Sequence, residues 1–346
     1  MSSKVFKIEN KELSEREKEI LRTVVQLYIL NASPVGSRTL SKTIQEGLSP
    51  ATIRNVMADL EELQFISHPH TSAGRIPTDK GYRYYVDSLV EYEQLSKNEI
   101  LTLEKSLTNS DTVLKDASKI LGILSSYLSI VAIPHIVDFR IVKVELIELA
   151  SNKLLVVIAL DSNLVRTVTL EVDFDFSSDE LYNIRAYINE KVAGKPLKFI
   201  RDNFKEMILE SNLRDTPLVR LFVDSIDNIL DIKDSKDVLH IAGTQNLLDY
   251  PEFGDMERVK GIIELMENED IIVHLLDKYE KNESGIKVMI GKEMENELLD
   301  DYSLIVSKYN FGSSSGSIGI IGPKRMPYSK IMSLVQQTAN LLTKSI

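Results

Sequence analysis

Three helix-start signals within the first fifty residues constrain this chain more than any other feature of it. Ser14-Glu15-Arg16-Glu17 is a capping box, in which the serine hydroxyl and the second glutamate carboxylate satisfy amide groups left orphaned at a helix N-terminus. Apolar residues then fall at Ile20, Leu21, Val24, Leu27 and Tyr28, the stripe of an amphipathic helix. Ser33-Pro34-Val35-Gly36 breaks that helix. Ser37 caps a short second one, with Leu40 and Ile44 inward and Gly47 at its end. Ser49-Pro50 opens a third, with proline where a helix tolerates it best. The apolar face of this third helix is Ile53, Val56, Met57, Leu60 and Leu63. A polar, hairpin-like stretch from His68 to Thr78 follows, then a helix-like or strand-like run from Gly81 to Leu89. Three helices, a short glycine-containing turn before the third and a polar hairpin form the pattern of a winged helix-turn-helix.

That layout implies a definite chemistry. With Ile53, Val56, Met57 and Leu60 inward, the opposite side of the third helix presents Ala51, Arg54 and Asn55. Arginine suits guanine, asparagine suits adenine, and a small apolar group suits a thymine methyl. Ser49 and Thr52 are short donors near the helix start, able to reach phosphates or bases. The wing, Thr71-Ser72-Ala73-Gly74-Arg75, offers a flexible glycine and one cation to a minor groove or a phosphate. Arg38, Lys42, Lys80 and Arg83 are candidates for phosphate positioning, and His70 for a wing contact.

The charge distribution is consistent with this. The whole chain of 346 residues carries a formal net charge of −11, which argues against indiscriminate affinity for nucleic acid. Residues 1–90, however, hold 12 Lys and Arg against 11 Asp and Glu, a net of +1, so the remainder carries −12. One end tolerates a polyanion and the other repels it.

Length suggests two or three domains. With no cysteine, the chain has neither a disulfide framework nor a thiolate metal site, which fits a reducing, cytoplasmic setting. Met1 to Asn10 lacks the apolar region of a secretory signal, and the longest apolar run, Leu154 to Leu160, falls far short of the roughly 20 residues needed to span a bilayer. The expectation is therefore no membrane association.

Beyond the first 90 residues the pattern is α+β. Glu91 to Leu128 reads as a solvent-rich linker helix. Strands are predicted at Phe139–Leu149, Lys153–Leu160 and Val165–Val172, then helices at Ser178–Val192 and Pro217–Leu230. A strand at Val238–Ala242, helices at Glu257–Glu267 and Ile271–Tyr279, strands at Ile286–Ile290, Tyr302–Tyr309 and Ser317–Ile321, and a closing helix at Tyr328–Lys344 complete the reading. Gly312 to Ser317 is a predicted hairpin turn. Strands on both sides of a helical block suggest one α+β domain interrupted by an insertion.

Several chemical signals carry less weight. His68-Pro69-His70 lacks a nearby cysteine or carboxylate cluster of the kind that holds a metal. Gly316, Gly319 and Gly322 precede Lys324 with the wrong spacing for a phosphate loop, and Pro323 intervenes. His135 and Asp138 have no nucleophile paired with them in sequence. An enzyme needs a nucleophile–base pair or a metal cluster; neither is legible, so the expectation is no enzyme and no cofactor.

The stretches Leu13 to Glu17, Pro34 to Leu40, Ser49 to Glu61 and Thr71 to Arg83 resemble the heat-inducible transcription repressor family, HrcA. Gly243 to Phe253, Ile290-Gly291 and Gly319 to Met326 resemble it too; where the family generally carries Glu-Asn after Ile-Gly, this chain has Lys292-Glu293. The resemblance implies an α+β multidomain protein: a winged helix-turn-helix over 1–90, a GAF-like domain over 91–176 and 279–346 that includes the 91–128 linker helix, and an α/β dimerisation domain inserted over 177–278. It implies a homodimer on double-stranded DNA, at an inverted-repeat operator called CIRCE upstream of chaperone genes, with activity maintained by the GroE chaperonin. The alternative is a ligand-sensing transcription factor gated through the GAF-like domain.

Overall fold

The computed structural model describes residues 12–44, 47–69, 74–107, 112–132, 139–150, 152–161, 165–209, 216–230, 239–247, 250, 256–278, 285–312 and 314–345. The N-terminal unit contains α1 (Glu15–Asn31), α2 (Ser37–Thr43), α3 (Pro50–Glu62), β1 (Ile66–Ser67), β2 (Ile76–Pro77) and α4 (Asp79–Tyr84). Two of its three helix-start signals act as the sequence dictates. The third does not, since Ser37 lies inside α2, whose N-cap is Gly36 with no side-chain hydrogen bond and whose C-cap is Ile44 rather than Gly47. Ser14 and Glu17 close the capping box of α1, with the Ser14 amide donating to the Glu17 carboxylate at 2.7 Å. Ser49 caps α3 by accepting from the Thr52 amide at 3.1 Å. Ile20, Leu21, Val24, Leu40, Ile53 and Leu60 are all buried, so the three helices share one core.

The wing is a minimal antiparallel pair, Ile66 opposite Pro77 and Ser67 opposite Ile76, extended by a bridge between Val35 and Arg75. Gly74 is required there: a Cβ on it would stand 2.7 Å from Pro34. The run after the wing is helical rather than extended, and beyond α4 it widens into one π-helical turn, Tyr85–Leu89.

The expected 91–128 linker helix is instead two helices, α5 (Lys97–Leu107) and α6 (Val113–Ser125). They are not a solvated spacer. Leu103, Leu107, Ala117 and Leu121 are buried, and both helices pack on the C-terminal helix. The chain then enters β3 (Leu128–Ala132), a short strand in the stretch to which the sequence assigns no element, between the helical pattern ending at Leu128 and the strand expected from Phe139.

After β3 comes a self-contained excursion. β4 (Ile141–Ala150), β5 (Lys153–Leu160) and β6 (Val165–Glu171) form a three-stranded antiparallel meander, followed by α7 (Ser178–Val192), α8 (Leu197–Leu209) and α9 (Pro217–Ile229). Alternate residues Val144, Val156 and Ile158 meet Ile188, Phe204 and Phe222 in one core. The Asn189 amide staples α7 to β4, accepting from the Val144 amide at 2.8 Å and donating to its carbonyl at 2.7 Å.

The chain returns in β7 (Leu239–Ala242), α10 (Thr244–Leu247), α11 (Met256–Glu267) and α12 (Glu269–Lys278), then β8 (Lys287–Ile290), β9 (Tyr302–Phe311), β10 (Ser314–Pro323) and α13 (Tyr328–Ser345). A second sheet runs in the order β7-β3-β10-β9-β8, antiparallel throughout. The α13 helix packs along β9 and β10. The expected turn over Gly312 to Ser317 is shorter than predicted, since Ser314 already pairs with Phe311.

The strands on the two sides of the helical block fall in different sheets. The strands 141–171 do not join the sheet of 287–323; they belong to the inserted unit, which leaves the main sheet after β3 and returns at β7. Local hairpin pairing lets the meander close on itself, whereas the main sheet is assembled from segments far apart in the chain. The β4–β6 meander thus shares a core with α7–α9, whereas β7 joins the sheet of β3 and β8–β10.

Candidate nucleic-acid interface

The α3 helix buries one side and frees the other. Ile53, Met57 and Leu60 face the core, Val56 is half-buried, and Ala51, Arg54 and Asn55 are exposed along the N-terminal half. Packing on α1 and α2 holds the helix in place. The exposed turn therefore projects a guanidinium and a carboxamide from a rigid base, at the helix end where the macrodipole favours anions. Thr52 is half-buried, and its hydroxyl lies 2.9 Å from the Ser49 hydroxyl, so both side chains contribute to the cap. On α2, Arg38 and Lys42 are exposed and make no ion pair among the described residues.

The wing cations are placed otherwise. Arg75 lies at the root of the wing, where its side chain meets Glu61 of α3 at 2.8 Å. Glu61 also meets the His68 ring, so one carboxylate organises both strands of the hairpin. Sequence reasoning missed Glu61, because a glutamate late in a helix carries no local signal of such a role. His70 and Thr71 lie outside the described residues.

Lys80 donates to the Leu63 carbonyl at the C-terminal end of α3 at 2.8 Å, with its ammonium 4.6 Å over the Phe65 ring. Arg83 is turned onto the C-terminal body, donating to Glu293 and to the Val288 carbonyl. Burial works against its charge, but hydrogen bonds and the negative charges of Glu293 and Asp87 outweigh that and hold it above its ordinary value. Lys80 and Arg83, candidate phosphate contacts by sequence, thus each have a partner within the protein. Arg83 spends most of its N–H donors on these partners, whereas the Lys80 ammonium gives one of its three to Leu63.

The geometry defines a winged helix-turn-helix whose reading helix is exposed at its N-terminal half, joined to an α+β body. A family model for the winged helix-turn-helix of the HrcA transcription repressor matches residues 12–88, and one for the HrcA C-terminal domain matches residues 111–332. The chain belongs to the HrcA family of heat-inducible transcription repressors. It is 35% identical to the heat-inducible transcription repressor HrcA of Chlorobium phaeobacteroides (strain BS1), over 97% of this chain and 99% of that one. To the HrcA repressor of Geobacter sulfurreducens it is 37% identical, over 96% of this chain and 98% of that one.

A crystal structure described as a hypothetical protein at 2.2 Å resolution shares the fold, with a TM-score of 0.61 and 24% identity over 97% of this chain and all of that one. The chain is accordingly a DNA-binding repressor, of a class that acts by binding rather than by catalysis. Among the described residues no helix is long and apolar enough to cross a membrane.

Proposed function

We propose that this repressor acts as a homodimer on the CIRCE inverted repeat, shutting off chaperone genes in the cytoplasm until heat withdraws the GroE chaperonin that maintains its active form. The observation that carries the DNA-reading part is the exposed turn of α3. In this reading Arg54, Asn55 and Ala51 meet base edges, while Ser49, Thr52, Arg38 and Lys42 position phosphates. His70 and Thr71 complete the contact from the wing, with Arg75 bracing its root.

The outer face of the β4–β6 meander supports a homodimer formed through the inserted unit. There Ile147 pairs with Leu155 and Ala159 with Val165, and Ile147, Leu149 and Val165 are exposed. An exposed apolar patch of this kind, beside the Lys143–Glu145 ion pair on the same face, suits a self-complementary contact. The chaperonin dependence rests on the family resemblance, as does the GAF-like character of the main body.

The test is an electrophoretic shift of the full chain on the inverted repeat and on a scrambled fragment, across a range of salt. Tight binding to the repeat, weakening as salt rises, is expected because phosphate contacts release counterions. Equal binding to both fragments would refute sequence-specific reading. Addition of the chaperonin is expected to raise the fraction of binding-competent repressor; no change would refute that dependence.

A further inference from the structure

The reader meets the body through α4. From this short helix Arg83 donates through Nε to Glu293 at 2.9 Å, through Nη2 to the Val288 carbonyl at 2.7 Å, and through Nη1 to Asp87 at 3.0 Å. One turn earlier, on the same face, Asp79 accepts from Lys324 Nζ at 2.7 Å. The approach is close enough that a Cβ on Gly291 would stand 2.5 Å from the Asp79 carboxylate. The contact thus spans two ion pairs from one helix to two separate segments of the body, the one that follows β8 and the one that follows β10.

The α4 helix is equally fixed to the reader. Thr78 caps it through the Gly81 amide at 3.1 Å, and its own amide donates to the Phe65 carbonyl at 3.1 Å. Lys80 ties it to the Leu63 carbonyl at the end of α3. At a second point, Arg325 reaches the Ile29 carbonyl near the end of α1 at 3.4 Å. The recognition helix, α4 and the body therefore form a series of short, directional contacts.

We propose that the Arg83–Glu293 and Asp79–Lys324 pairs are positioning contacts that fix the angle of α3 against the body and thereby set the half-site separation a dimer can read. The proposal rests on the inverted-repeat reading above. Two linked readers gain from each other only when both engage at once, and that gain depends on how rigidly their separation is held. Half-site spacing is a geometric property of the dimer. Neither pair faces the exposed turn of α3, so their loss acts on orientation and leaves the reading surface in place.

The experiment uses the full chain carrying Arg83→Glu, Glu293→Arg, or both, with Glu293→Gln as a milder variant. Each is titrated against a single half-site and against CIRCE inverted repeats whose half-sites are moved apart in single base-pair steps. The wild type is expected to favour one spacing strongly over the isolated half-site. Each single variant is expected to keep half-site affinity within about twofold. Its palindrome-to-half-site ratio is expected to fall about tenfold, with a flattened spacing preference, as the effective concentration of the second reader drops. The charge-swapped double variant recovers part of the ratio.

Equal loss on half-site and palindrome in every variant would overturn the proposal, reducing the pairs to general stability. So would an unchanged spacing preference. Tighter palindrome binding by the single variants would also overturn it, because the pairs would then be holding the reader away from DNA. A wild type that shows no palindrome preference removes the inverted-repeat reading itself and the proposal with it, an outcome visible without any variant.

Discussion

Glu61, on the last turn of the recognition helix, holds the Arg75 guanidinium at 2.8 Å and so joins that helix to the root of the wing. The two side chains are 28% and 15% exposed, which makes the pair more shielded than a surface bridge. Glu61→Ala leaves Arg75 and His68 without their shared acceptor. It is expected to lower the stability of the reader by about 1–3 kcal/mol, the usual cost of stranding a partly buried partner. Urea unfolding checks this. Arg75→Ala and the double variant complete a cycle in which the effects are expected to be less than additive; full additivity would show that the two side chains do not interact.

Arg54 is exposed on the N-terminal half of α3. If it reads a base, Arg54→Ala costs about 1–3 kcal/mol in operator affinity and relaxes specificity at one position. Titration on operator and scrambled DNA separates the cases. Equal loss on both would assign Arg54 to a phosphate instead.

Gly81 passes so close to the wing that a Cβ on it would stand 2.0 Å from the Phe65 carbonyl oxygen. Backbone cannot yield that far without shifting α4. Gly81→Ala is therefore expected to destabilise by at least about 2 kcal/mol, within the range for overpacking a tight site. Thermal unfolding tests it; a melting temperature equal to the wild type would contradict the close approach.

Glu99 closes the start of α5 by accepting from the Ser96 amide at 2.8 Å, and pairs with Lys330 of α13 at 2.9 Å. Hydrogen bonds from Lys330 and then Ser96 hold its carboxyl down at about 2, against an ordinary 4.5. A carboxyl lowered in the folded state contributes stability above its unfolded value and loses that contribution as pH falls toward its folded value. The wild-type melting temperature is thus expected to fall more steeply than that of Glu99→Gln between pH 4.5 and about pH 2. Parallel profiles would rule the contribution out.

Local structure is largely legible in the sequence. Ser14 and Ser49 each cap a helix as read, because capping acts over three residues and leaves its pattern in the chain. The inward face of α3 follows from helical periodicity in the same way. Strand pairing was less legible. A run such as Leu128–Ala132 has the same apolar character at the end of a helix as in a sheet, and nothing in it names β10 and β7 as its neighbours. Nor does the alternation over 141–171 say which sheet those strands join.

The cations of the first 90 residues divide along the same line. Sequence alone determined that Arg38, Lys42, Arg54, Arg75, Lys80 and Arg83 lie in a winged helix, and its motifs determined the family. Only the tertiary structure decided which of them face outward. Arg38, Lys42 and Arg54 are exposed; Arg75 turns to Glu61, Lys80 to Leu63, and Arg83 to Glu293, which lies 210 positions away. The reason is physical. A helix cap is satisfied by its nearest neighbours, whereas a charged side chain takes whatever partner the completed fold brings within reach.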